Sequence, residues 1–301
     1  MRKKNIYFFS TVFLILFCLT AFSTTRDVEK PKIFISADIE GIAHVVKSAF
    51  GPGDYGYERA RILMTEEVNA AIAGCLEGGA GEILVADSHG NCMNIIPEKL
   101  HEAAELVRSF PRPLDMMDGI DETYDGVIFI GYHAKAGTPQ ANIAHTMFGS
   151  LTDLSLNGLS VSEALFNAAV AGEYGVPVIM VSGDQHVVRE AKKSFGSVET
   201  VVTKESRGYV SARSPHPKKV RMKLKERCKL AVQKINIFEP FRIQPPIKME
   251  ITFKNTHSAE ALCYFPWFKR VEGNTVAVEV KNMKEAAGVI VGLGAVSSGG
   301  E

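Results

Sequence analysis

The stretch Lys32-Ile33-Phe34-Ile35-Ser36-Ala37-Asp38-Ile39-Glu40-Gly41 decides the fold. Its first six residues are an almost unbroken apolar run of strand length. A half-exposed strand would alternate apolar and polar residues; a continuous run means burial on both faces, as in a parallel sheet covered by helices. Glu58–Glu77 follows with helical periodicity: Ala60, Met64, Val68, Ala71, Ile72 and Cys75 recur at three- and four-residue spacing, and Gly78-Gly79 stops the helix. Glu82–Ala86, Gly126–Ile130 and Pro177–Val181 are further strands, interleaved with helical patterns at Ser162–Tyr174 and Gln185–Lys193. Strands alternating with helices predict an α/β fold with a mostly parallel sheet flanked by helices.

The last third reads differently. Pro217–Lys234 is a basic amphipathic helix whose charges form a solvated face, and Phe241–Pro246 is a linker. Ile247–Lys254 and Thr275–Val280 are strands, and Met283–Leu293 is a closing helix. The expectation is a second, smaller α+β portion in the C-terminal third. This divides the chain into an α/β metal-binding domain over 31–205 and an α+β domain over 206–301.

Composition narrows the function classes. The 301 residues are 46% hydrophobic and 23% charged, which excludes a disordered chain, a fibrous repeat and a multi-span membrane protein. Basic and acidic side chains balance at 34 each, which argues against a nucleic-acid partner. Residues 1–23 have the form of a secretory signal peptide. Arg2, Lys3 and Lys4 precede the apolar run Ile6–Phe22, and Ala21-Phe22-Ser23 supplies a cleavage site. An exported protein is expected; an uncleaved membrane anchor is the lesser alternative, and bulky Leu16 and Phe17 argue against lipidation at Cys18. Beyond the signal lie Cys75, Cys92, Cys228 and Cys263, with no CxxC pair. Cys75, on the apolar helix face, reads as a buried thiol.

Ligands of open α/β sheets bind at the carboxyl ends of the strands. Here those ends read Asp38-Ile39-Glu40-Gly41, Asp87-Ser88-His89-Gly90, Gly131-Tyr132-His133-Ala134 and Ser182-Gly183-Asp184. In a continuing strand Asp38 and Glu40 would point to the same face. Two close carboxylates repel unless one is protonated or a cation lies between them. With His89 and His133 nearby a cation is the better solution, and mixed imidazole and carboxylate ligands suit zinc, with manganese or iron as substitutes. His101, His216 and His257 read as surface residues, and His44 and His186 are assigned no role.

These motifs, with Tyr57–Glu67, His145-Thr146-Met147, Ser162-Glu163-Ala164 and Val181-Ser182-Gly183-Asp184, occur in an order that resembles the zinc D-aminopeptidases, also described as dipeptide transport proteins. The resemblance covers roughly residues 32–295. It implies that Asp38, Glu40, His89, His133 and Glu163 hold two zinc ions per subunit, with Asp38 shared, and that His145 is catalytic. Glu163 owes its role entirely to the resemblance, since on periodicity alone it is an ordinary helix N-terminal residue. Ser162 and Ala164 depart from the family's Gly-Glu-Leu around that ligand.

The resemblance further implies a dinuclear zinc aminopeptidase, which, unlike the family's cytoplasmic type member, the signal peptide would export. Its substrates would be short peptides with an N-terminal D-residue, such as D-Ala-D-Ala, and its chemistry a metal-activated attack on the amide. A homo-oligomer is expected, a decamer by family analogy. A non-catalytic peptide-binding protein and a dinuclear metal hydrolase of another bond type are the competing readings.

Overall fold

The computed structural model describes residues 30–47, 51 and 53–298. The expected signal peptide, residues 1–23, lies outside them. Among the described residues no helix is long and apolar enough to cross a membrane.

The first half of the chain builds most of one sheet. β1 (Lys32–Ala37) leads through α1 (Tyr57–Gly78) to β2 (Glu82–Asp87), then to β3 (Glu105–Val107) and β4 (Gly126–Tyr132). A hairpin of β5 (Leu151–Leu156) and β6 (Leu159–Ser160) precedes α2 (Glu163–Glu173), β7 (Val178–Asp184), α3 (Gln185–Ser194), β8 (Glu199–Gly208) and β9 (Ser211–Arg213). After α4 (Pro217–Gln233) come β10 (Ile247–Phe253), α5 (Thr256–Leu262), β11 (Lys269–Glu272), β12 (Thr275–Val280) and α6 (Met283–Ser298).

The seven-stranded sheet has the order β3-β2-β1-β4-β7-β8-β9, parallel except for β9. The chain steps from β1 outward to β2 and β3, then returns to place β4 on the other side of β1. That reversal opens a crevice at the carboxyl ends of β1 and β4, the usual ligand position in such sheets. Apolar residues fill both faces. Ile33, Ile35, Val85, Ile128 and Ile130 pack beneath α1 and α4, while Phe34, Phe129 and Val127 face the layer that contains α2 and α6. Buried Cys75 and Cys228 sit in the α1–α4 side, and the basic residues of α4 pair outward, Lys225 with Glu77 and Arg227 with Glu199.

The smaller second portion is an antiparallel sheet of order β11-β12-β10-β5-β6 with α5 and α6. Two of its C-terminal strands, β10 and β12, are those expected; β11 is additional to them, and the 151–160 hairpin also joins the sheet by pairing β5 with β10. Alternate residues of β10 are buried, as in a sheet covered on one face.

Candidate metal centre

Asp38, His89 and His133 lie just past the ends of β1, β2 and β4, three neighbouring strands of the parallel sheet. Their clustering follows from register: Ala37 is aligned with Asp87 and with Ile130, so the three chain ends leave the sheet at similar height. β1 does not continue through Asp38 and Glu40, contrary to the alternation argument. The chain turns at Asp38, whose Oδ1 accepts from Ile39 N at 2.8 Å, and the turn itself brings the two carboxylates together. Gly41 permits this turn. Its N–H donates to Gly131 O at 2.6 Å, and a side chain there would overlap Tyr132 O.

Buried side chains bind the rest of the turn. Lys204, fully buried on β8, donates from Nζ to both Glu40 O and Val45 O. Thr203 Oγ1 donates to Gly41 O, and Glu67 Oε1 on α1 accepts from Ala43 N at 3.0 Å. Burial pushes the Lys204 amine down to about 8 and the Glu67 carboxyl up to about 8. The β2 end is held similarly: Asp87 accepts from Asn94 N and Ile95 N, and Asn94 Nδ2 donates to His89 O at 2.6 Å.

Glu163 arrives from the opposite layer as the first residue of α2, capped by Ser162, whose Oγ accepts from Leu165 N. This puts a carboxylate at the positive end of a helix dipole. It is buried rather than exposed, and Met147 N–H donates to its Oε1 at 2.7 Å. His145 comes from the loop between β4 and β5. Ile143 and Met147 on either side of it, like Gln140, adopt left-handed φ values of 50–60° without being glycine, a strain that marks constrained functional segments.

These residues converge. Ligand atoms of Asp38, Glu40 and His89 lie within 4.8 Å of one another, as do those of Asp38, His133 and Glu163 and those of Glu40, His133 and His145. His89 Nδ1 is 2.9 Å from Glu40 Oε2 and 3.4 Å from Asp38 Oδ1. His133 Nε2 is 3.3 Å from Glu163 Oε2 and 3.5 Å from Asp38 Oδ2. The other His133 nitrogen, Nδ1, donates to Ala134 O at 2.9 Å, which leaves the Nε2 lone pair facing the carboxylates. All five expected ligands are therefore in one buried cluster.

Its electrostatics suit a cation. Asp38 Oδ2, both Glu40 oxygens and His133 Nε2 are buried with no hydrogen bond to satisfy them. Burial and then Glu40 hold the Asp38 carboxyl well above its ordinary value. Burial also opposes charge on Glu40, but His89 overcomes it and keeps that carboxyl well below its ordinary value. Burial would lower His89, yet Glu40 drives it up to about 10. Three carboxylates drawing protons onto two imidazoles occupy the place where divalent ions would satisfy every lone pair at once. The donor set thus fits zinc on its own chemistry.

Of the remaining histidines, His216 and His257 are exposed as expected, whereas His101 is half-buried; His186, assigned no role, is half-buried with its Nε2 enclosed. His44 is exposed and its Nε2 lies against Pro215 O, His216 caps α4 and His101 receives Ala103 N–H.

A parallel sheet with a two-histidine, three-carboxylate cluster at its switch point suits a metal-dependent hydrolase. The comparisons with known proteins narrow that class. The D-aminopeptidase family model matches residues 32–291. A D-aminopeptidase of Bacillus subtilis (strain 168) is 36% identical over 259 residues, covering 85% of this chain and 93% of that protein. The solved structure described as "Zn-dependent D-aminopeptidase DppA from Bacillus subtilis, a self-compartmentalizing protease" superposes with a TM-score of 0.84 at 34% identity, covering 87% of this chain and 97% of that one. The chain belongs to the D-aminopeptidase family and is a peptidase. The reading as a non-catalytic peptide-binding protein falls with that assignment.

Proposed function

We propose that this protein is an exported dinuclear zinc aminopeptidase that hydrolyses short peptides beginning with a D-amino acid, such as D-Ala-D-Ala. The observation that carries the proposal is the membership of Asp38 in two separate three-ligand groups. Asp38, Glu40 and His89 would hold one zinc ion, and Asp38, His133 and Glu163 the other. When bound, the pair supplies Lewis-acid activation of the scissile carbonyl and of water.

The chain's own residues supply the rest. His145 Nδ1 donates to Ile143 O at 2.9 Å, which leaves the Nε2 lone pair directed at the cluster, 3.6 Å from Glu163 Oε1 and 3.8 Å from Glu40 Oε1. Its side chain is 21% exposed against 2–6% for the five ligands, so it is the imidazole that substrate can reach. In the reaction a water oxygen adds to the carbonyl carbon, the C–N bond breaks, and His145 carries the proton from water to the leaving amine.

The relative described as self-compartmentalizing supports a homo-oligomer that encloses its sites, ten subunits by analogy with the family. Export rests on residues 1–23. Outside the cytoplasm, wall-derived peptides would provide the substrate.

Metal analysis of the purified protein joined to a panel of matched D- and L-peptides tests this reading. Two zinc ions per subunit, cleavage of D-Ala-D-Ala and loss of cleavage with chelator are expected. Preference for L-peptides, or turnover of a generic phosphoester instead, would overturn the substrate assignment. N-terminal sequencing of protein recovered outside the cytoplasm should begin after residue 23; retention of Met1 in the cytoplasm would overturn export.

A further inference from the structure

An aminopeptidase must recognise a free ammonium, and the carboxylates of the metal cluster are committed to one another. A further carboxylate stands beside them. Residues 112–116 form a turn pinned to three of the four ligand-bearing regions, the ends of β1 and β2 and the start of α2. Arg112, buried, donates from Nη2 to Asp87 O at 2.6 Å, at the end of β2. Met116 O accepts from Ser36 Oγ at 2.9 Å and from Ser88 Oγ at 3.0 Å, which anchors it two residues before Asp38 and one before His89. Asn167 Nδ2, one helical turn beyond Glu163, reaches Met116 Sδ at 3.1 Å.

Between Arg112 and Met116 sits Asp115. Its backbone is left-handed, with φ of 52°, a conformation that costs energy in any residue but glycine and that collects at ligand-binding positions. Arg112 enforces it by donating from Nε to Asp115 O at 2.6 Å. The guanidinium gives its hydrogen bonds to backbone carbonyls and acts on the Asp115 carboxyl only through its charge. Among the described residues no hydrogen bond or ion pair engages the Asp115 carboxylate. It is only partly exposed and lies within electrostatic reach of Glu163. Burial pushes it up to about 6, which still leaves it ionised at neutral pH. A strained backbone that holds a carboxylate without a hydrogen-bond partner within electrostatic reach of Glu163 is the feature to be explained.

We propose that Asp115 receives the α-ammonium of the substrate's first residue, and so makes the enzyme an aminopeptidase. The proposal rests on the aminopeptidase reading above. A fixed anion there sets the distance from amine to scissile carbonyl at one residue and rejects peptides whose first amine is blocked. An ammonium also supplies a direct charged hydrogen-bond partner to a half-buried carboxylate that otherwise has only the nearby charge of Arg112.

Asp115→Asn and Asp115→Gly test it in the zinc-loaded full-length protein. Asparagine tolerates the left-handed backbone and removes only the charge; glycine removes both charge and strain. Two quantities are compared: KM for D-Ala-D-Ala, and the inhibition constant of its des-amino analogue, N-propionyl-D-alanine. Losing a charge-assisted hydrogen bond should raise KM about 10- to 100-fold in both variants with a smaller change in kcat. The des-amino inhibition constant, the zinc content and the melting temperature should hold, the last rising for Asp115→Gly. An unchanged KM, or equal weakening for both compounds, would overturn the ammonium site, as would zinc loss or a lower melting temperature in Asp115→Gly. A wild-type protein that binds zinc but cleaves no free-amine peptide would sink the underlying aminopeptidase reading instead.

Discussion

The imidazoles of His133 and His145 are stacked, their centroids 4.2 Å apart and their planes 13° from parallel. One ring is buried between Asp38 and Glu163; the other lies over it and reaches solvent. The stack fixes the more exposed ring without making it indispensable to either Asp38-containing group. His145→Ala should therefore reduce turnover about 100-fold or more while zinc stays bound, in line with the loss of an acid–base group. Near-normal turnover of the zinc-loaded variant would remove His145 from the chemistry.

Shared and unshared ligands should behave differently. Asp38 belongs to both three-ligand groups that would hold zinc, whereas Glu163 belongs to one. Asp38→Asn should cost both ions, and Glu163→Gln should leave close to one per subunit. Elemental analysis after dialysis reads the difference directly. Equal losses in the two variants would mean that the ions do not share Asp38.

Much of this was legible in the sequence because burial writes itself into strands and helices. The apolar run at 32–37 and the three- and four-residue spacing in α1 place those elements within a residue of where they lie. What escaped has physical reasons. β8, Glu199–Gly208, mixes exposed charged residues with buried Val201, Thr203 and Lys204, so its place between β7 and β9 is hidden by polar side chains, two of which serve the ligand turn. The 151–160 hairpin pairs with a strand about 95 residues later, a contact no local pattern announces. Asp38 and His133 were readable from their positions at strand ends. Glu163 was not, because a helix N-terminus looks the same in sequence whether it faces solvent or a metal site. Asp115 lay in a segment without periodicity, and only its backbone conformation distinguishes it.

Lys204 is the most consequential of the hidden residues. Its Nζ satisfies two buried carbonyls, Glu40 O and Val45 O, of the turn that carries two ligands. Lys204→Met keeps the length and apolar stem but leaves both carbonyls without a donor. Stranding buried polar groups costs about 1–3 kcal/mol each, so a loss of about 2–6 kcal/mol in unfolding free energy is expected. Zinc affinity should fall as well, because Glu40 loses the anchor of its own carbonyl. Chemical denaturation and a competition titration against a zinc chelator measure the two effects. A variant that keeps wild-type values for both would show the clamp to be dispensable.

The partner of that clamp on α1 predicts a pH dependence. Burial holds the Glu67 carboxyl up to about 8 against an ordinary value of 4.5. The folded state therefore binds this proton more tightly than the unfolded chain. Its contribution to stability is complete below about pH 4.5 and is lost as pH rises through 8. Lys204, depressed to about 8 from 10.5, adds slope only above that range. Glu67→Gln mimics the protonated acid and keeps an oxygen to accept from Ala43 N–H. Its stability relative to wild type should thus improve between pH 5 and pH 8, with a slope of at most about 1.4 kcal/mol per pH unit. Denaturant unfolding of both proteins at matched pH, with chelator present to remove metal linkage, gives the difference. A constant gap across the window would mean that Glu67 titrates alike in the folded and unfolded chains.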